Sequence, residues 1–135
     1  MSKSADLDAL FAAAKRSQER AYAPYSRFKV GAAIVTAGGA IVAGCNVENA
    51  AYPQGACAEA MAIGAMVVGG ETRIREILVI GDGAALCTPC GGCRQRIREF
   101  AVATTPVHVA GPEGVRKSYT LAELLPDSFG PEHLR

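Results

Sequence analysis

The chain has 135 residues, half of them apolar, with a formal net charge of +1. That is one domain's worth of sequence with enough apolar residues for a buried core, and its charge lacks the basic footprint of a nucleic-acid binder. No stretch reaches the ~18 apolar residues that cross a bilayer, and the N-terminal "MSKSADLDALFAAAKRSQER" carries acids early and lacks a signal peptide's apolar centre, so a cytoplasmic protein is expected.

Ser4 to Arg20 reads as an amphipathic helix. Leu7, Leu10, Phe11 and Ala14 recur at helical spacing, and Ser4 or Asp6 serves as a cap. "AYAPYS" breaks it at Pro24. "RFKVGAAIVT" reads as a strand, "AGG" as a tight turn and "AIVAGCNVEN" as the hairpin partner. "AAYPQGA" is a loop. Residues 57–68 are nearly all small or apolar and end in two glycines, which marks a buried helix with a glycine stop. "REILVIGDG" is an almost continuous apolar run, as in a strand covered on both faces. "ALCTPCGGCRQRIREFA" is a loop running into a helix, with Pro89 suited to the helix start. "TPVHVAG" is a further strand, "VRKSYT" a possible fifth, "LAELL" a short helix and "PDSFGPEHLR" a tail. The order predicts one domain over residues 1–135, a three-layer α/β/α sandwich with a mixed five-stranded sheet.

Five cysteines are an odd count in a chain read as intracellular, which argues against a disulfide framework and for metal or catalytic use of some of them. Cys90 and Cys93 stand three apart and share a helix face. Cys57 heads another helix. Three thiolates suit a zinc site that keeps one position open, as catalytic zinc does; a structural zinc knuckle is the competing reading and would want a fourth ligand. Glu59 adds a geometric constraint. Residues two apart on a helix point about 200° from each other, so Cys57 and Glu59 serve one centre only if it lies off the helix end. That end carries free N–H groups and partial positive charge, which favours thiolate over thiol. A structural site has no need of a carboxylate there. Cys45 and Cys87 carry no such pattern and read as filler, although Cys87 lies close in sequence to the cluster.

"CAE" followed by "TPCGGCRQ" resembles the zinc deaminases, in which a catalytic glutamate lies two residues after a metal ligand and Pro-Cys-x-x-Cys supplies two more. "YSRFKVGAA" and "NVEN", within "YAPYSRFKVGAAI" and "GCNVENAAYP", narrow the resemblance to the small cytidine deaminases of free-nucleoside salvage. It extends to "LLPDSFGP", nearly the whole chain. The resemblance implies one zinc ion per chain on Cys57, Cys90 and Cys93, acidifying a water. Glu59 would move that water's proton to the pyrimidine N3 and on to the departing ammonia, as cytidine or 2′-deoxycytidine becomes the uridine form. It further implies that the backbone at Ala58 and Cys90 contacts the base and that Phe28 stacks on or edges it. Asn46 and Glu48, two apart on a strand and so on one face, would bind the ribose. Tyr52 and Phe129 would complete pockets across the interfaces of a homotetramer, and Gln95 would support the site through hydrogen bonds. The implied partner is a small nucleoside, with no nucleic acid and no membrane.

One position departs from the pattern. Many such deaminases carry an arginine directly after the glutamate, donating hydrogen bonds to the thiolates. Here that residue is Ala60, which leaves the thiolates more electron-donating unless another arginine reaches in. Arg94 is nearest in sequence, and the resemblance assigns it no such role. Two other readings remain for the chain: a deaminase of a different N-heterocycle, and a nucleic-acid-editing module. The second would want a basic groove and aromatic platforms, which 6% aromatic residues and no tryptophan do not supply.

Overall fold

Alternation along β1 (Val30–Thr36) decides which helix covers which face of the sheet. Ala33 and Val35 point to one side, where they bury against Leu10, Ala13 and Ala14 of α1 (Lys3–Glu19). Ala32 and Ile34 point to the other, against Ala58, Ala62, Ile63 and Met66 of α2 (Ala58–Val68) and Ile97 of α3 (Gly91–Phe100). The computed structural model describes residues 3–135, with side chains from Asp6 onward. The capping role expected for Ser4 therefore lies outside the described side chains. Asp6 sits in the first turn of α1 and lies 4.0 Å from Arg75.

The sheet has the order β2-β1-β3-β4-β5, with β2 at Ile41–Cys45, β3 at Ile74–Gly81, β4 at Pro106–Gly111 and β5 at Gly114–Thr120. β1 runs antiparallel to both β2 and β3, β3 runs parallel to β4, and β4 antiparallel to β5. The sheet is thus mixed, as expected, and "VRKSYT" is indeed its fifth strand. β3 is central and covered on both faces: Ile77, Leu78, Val79 and Ile80 are all buried, which is why its sequence shows no alternation. The short α4 (Leu121–Leu124) is closed by a capping box between Thr120 and Glu123. α2 ends at Gly69, and Gly70 follows with φ of 93°, a left-handed conformation that glycine adopts without a Cβ penalty.

Several boundaries differ from expectation. β1 begins at Val30 rather than Arg27, because Arg27 takes a left-handed φ of 61° that no strand continues through. β2 stops at Cys45, although the chain stays extended through Val47, which bridges Tyr22 on one side and Ala56 on the other. α2 starts at Ala58, with Cys57 as its N-cap. Pro89 is not the first helical residue: Cys90 caps α3 and Pro89 precedes that cap, where its carbonyl accepts from Arg94. Among the described residues no helix is long and apolar enough to cross a membrane.

Candidate active site

Two helix N-termini meet at the end of the sheet where β1 begins and β3 stops. Cys57 caps α2 and Cys90 caps α3. Their sulfurs face each other at 4.0 Å. Cys93 lies in the first turn of α3, one turn on from Cys90. The three Sγ atoms all lie within 4.8 Å of one another. A tetrahedral zinc with bonds of about 2.3 Å sets its sulfurs roughly 3.8 Å apart, so this cluster fits the ion with little adjustment. Cys57 is half-buried, Cys90 exposed and Cys93 buried, and all five cysteines are free thiols.

Glu59 sits in the first turn of α2, two residues after the Cys57 cap, and is only 4% exposed. It meets the cysteine centre off the helix end, as the 200° argument requires. Burial pushes its carboxyl above the ordinary range; a Cys93 hydrogen bond and the Arg96 charge pull the other way without cancelling it. Burial also raises the Cys57 and Cys93 thiols, and Glu59 adds to the rise. At Cys90 hydrogen bonds from the Cys93 backbone and from the Cys93 and Cys57 thiols outweigh burial and hold the thiol below its usual value. Acidic groups crowded this closely raise one another's cost of ionisation, and a divalent cation is the charge that relieves it.

A cleft of about 200 Å³ opens on this centre, lined by Val30, Asn46, Cys57, Ala58, Glu59, Cys87, Thr88 and Cys90. Asn46 is fixed at its rim: its Oδ1 accepts from Val30 N at 2.9 Å and its Nδ2 donates to Phe28 O at 2.9 Å. Glu48 lies one step further out. Its Oε1 accepts from Tyr25 N and Ser26 N at 2.9 and 3.1 Å, and Oε2 accepts from the Ser26 hydroxyl. These bonds, the hydroxyl's above all, hold the Glu48 carboxyl below its ordinary value. Both side chains thus brace the 25–30 loop from the same extended segment. Phe28, on that loop, is partly exposed. A Cβ placed on Gly81 would stand 2.6 Å from Cys87 Sγ and 3.2 Å from Phe28 Cζ, so both residues pack onto bare backbone at the end of β3.

The remaining expected residues do not reach this cleft within one chain. Tyr52 is 76% exposed and borders a separate hollow with Tyr25, Ser26, Glu48, Asn49 and Gly55. Phe129 is 56% exposed and stacks on His133 at 4.8 Å. Among the described residues the Gln95 side chain hydrogen-bonds no cleft residue; its Nε2 donates to Phe129 O at 2.8 Å and so holds the tail. Sequence reasoning missed Val30 and Thr88 as lining residues and read Cys87 as filler. Cys87 instead lines the cleft, and burial, with the Glu59 and Asp82 charges, lifts its thiol to about 11. Its place three residues before Cys90 was the available signal. Arg94 does not serve the thiolates: it donates to Pro89 O at 2.7 Å and Leu124 O at 2.8 Å.

Comparison with known proteins agrees with this geometry. The family described as cytidine and deoxycytidylate deaminase zinc-binding region matches residues 4–109. A cytidine deaminase of Sporosarcina psychrophila is 40% identical over 129 residues, covering 96% of this chain and 95% of the relative. One of Halalkalibacterium halodurans is 37% identical over 129 residues, covering 96% and 98%. The crystal structure of a Burkholderia pseudomallei cytidine deaminase superposes with a TM-score of 0.85 at 41% identity, covering 96% of this chain and all of that one. With the cysteine centre, the neighbouring glutamate and the sheet order all in place, the chain belongs to the cytidine and deoxycytidylate deaminase family.

Proposed function

We propose that this chain, acting as one catalytic domain, hydrolyses cytidine and 2′-deoxycytidine to uridine, 2′-deoxyuridine and ammonia in pyrimidine salvage. The observation that carries the reading is the buried Glu59 beside three convergent cysteine sulfurs at two helix N-termini. Cys57, Cys90 and Cys93 hold zinc, which supplies the Lewis acidity that makes water nucleophilic near neutral pH. Glu59 takes a proton from the attacking water and delivers it to N3, and then to the leaving amine. Its raised carboxyl pKa suits both halves of that task, since it accepts a proton more readily than an exposed glutamate does. As oxygen adds to C4 and the C4–N bond breaks, the backbone of Ala58 and Cys90 holds the polar edge of the base. Phe28 borders the ring.

The sugar contacts follow from unused hydrogen-bonding capacity. Asn46 Nδ2 has a second N–H beyond the one given to Phe28 O, and Glu48 Oε2 has a lone pair beyond the one given to Ser26. Amide donor and carboxylate acceptor together suit ribose hydroxyls. Phe129 and Tyr52, solvent-facing in the single chain, support a homotetramer in which neighbours complete each pocket. A groove between α1 and α2, lined by small residues such as Ala9, Ala12, Gly44 and Gly64, offers a surface on which a second copy can pack closely. Gln95 contributes by fixing the tail that carries Phe129. Five free thiols suit the reducing cytoplasm.

The test is to incubate the purified, zinc-loaded protein with cytidine and follow the absorbance change as cytosine becomes uracil. Turnover that is abolished by Glu59→Ala, with zinc retained, supports the reading. No turnover with one zinc per chain overturns it.

A further inference from the structure

Three thiolates around a divalent zinc leave a net charge of −1, and among the described residues the fold sets the Arg96 guanidinium against it. Ala60, directly after Glu59, faces the groove between α1 and α2 and brings no charge. Arg94 is committed to two backbone carbonyls. Arg96, three residues after Cys93 on α3 and therefore on the same helix face, directs Nη1 to Cys93 Sγ at 3.7 Å. It makes no other hydrogen bond among the described residues. Its route passes over Gly92, where an added Cβ would come within 3.2 Å of Nη1. The guanidinium therefore lies back along the helix toward the cysteine centre, and its charge is felt at Glu59 as well. Cys93 is fully buried, so this N–H···S contact is made to a sulfur that water does not reach.

We infer that Arg96 is a positioning residue of the metal centre: its guanidinium holds the Cys93 thiolate, offsets the net negative charge of a zinc–trithiolate site and limits how strongly that sulfur donates to the metal. The inference rests on the assignment of zinc to Cys57, Cys90 and Cys93. Drawing electron density from Cys93 leaves the ion the stronger Lewis acid, which is the property a deaminase needs. Because Arg96 also reaches solvent, its effect on metal affinity belongs near the lower end of the 10–100-fold range of outer partners, about tenfold.

The experiment uses the full chain loaded with cobalt(II) in place of zinc, as wild type, Arg96→Gln and Arg96→Lys. Removing the positive charge raises the energy of the sulfur donor electrons. The thiolate-to-cobalt absorption band therefore moves to longer wavelength in Arg96→Gln and returns most of the way in Arg96→Lys. Chelator competition is expected to show about tenfold weaker zinc binding in Arg96→Gln, because the uncompensated negative charge of the zinc–trithiolate site outweighs the stronger sulfur donation. A purely structural arginine would not shift the band. An unchanged band together with unchanged zinc affinity in Arg96→Gln overturns the proposal, and so does an Arg96→Lys chain that behaves like Arg96→Gln. A wild-type chain with no thiolate-to-cobalt band overturns the zinc assignment itself, and the role of Arg96 with it.

Discussion

Cys57 and Cys90 occupy the same position on two different helices, each as N-cap, and their sulfurs meet at 4.0 Å. An N-cap side chain ordinarily serves its own helix. Here both sulfurs also face a shared centre. Replacing either by serine keeps a favoured cap residue and removes a metal ligand. Cys90→Ser is therefore expected to fold, with metal analysis finding far less than one zinc per chain and affinity reduced by more than the roughly hundredfold effect of losing an outer partner.

Glu59 and the metal ligands separate cleanly by substitution. Glu59→Gln keeps the size and burial of the side chain and cannot take up a proton. Zinc content should stay at the wild-type level while kcat falls by about 10²–10⁴, the usual worth of a positioned acid–base group. Loss of zinc in parallel with kcat would assign Glu59 to the metal shell instead.

Glu48 gives a pH dependence with a definite sign. Its carboxyl is held below the ordinary value of 4.5, chiefly by the Ser26 hydroxyl. A depressed folded-state pKa contributes stability that is present above the unfolded value and lost as pH falls through the folded one. Thermal melts of wild type and Glu48→Ala should therefore differ at pH 6–7 and converge as the buffer is taken well below pH 4.5. Binding should respond too. KM for cytidine is expected to rise in Glu48→Ala with kcat less affected, because the sugar loses an acceptor while the proton-moving Glu59 is untouched.

Arg94 ties the approach to Cys90 to the end of α4 through Pro89 O and Leu124 O. Arg94→Ala strands two carbonyls, at about 1–3 kcal/mol each where water does not replace the donor. The expected result is a stability loss of about 2–4 kcal/mol in denaturant titration, with easier zinc removal by chelators because Pro89 immediately precedes Cys90. Arg94→Lys, which cannot span both carbonyls with a planar fork, should recover only part of the loss.

Gly81 tests the packing behind the cleft. In Gly81→Ala the new methyl meets Cys87 Cβ and Sγ, both at 2.6 Å, and must displace Cys87 and Phe28 toward the substrate side. Overpacking of this kind costs about 1–3 kcal/mol. A melt should register that loss, and KM should rise more than kcat falls, because Cys87 lines the cleft and neither displaced group moves protons.

The sequence by itself determined the element order, the mixed α/β class and the identity of the central residues. Period-3.6 and period-2 apolar patterns are local, and the spacing of Cys57, Glu59, Cys90 and Cys93 is a chemical signature that survives without coordinates. Boundaries were less legible. Arg27 ends the strand pattern through a backbone conformation that its side chain does not announce, and Pro89 marks a helix start one cap earlier than its propensity implies. Only tertiary structure decided what Arg94 holds. Arg94 is next to Cys93 in sequence, but adjacent helical residues diverge by about 100°, which sends it to Leu124, whereas Arg96 at i+3 returns to the face of Cys93. Cys87, in the loop after β3, lines the cleft where Gly81 at the end of that strand leaves space for it. The Arg94–Leu124 contact depends on where α4 comes to lie beside α3, and no local pattern encodes that.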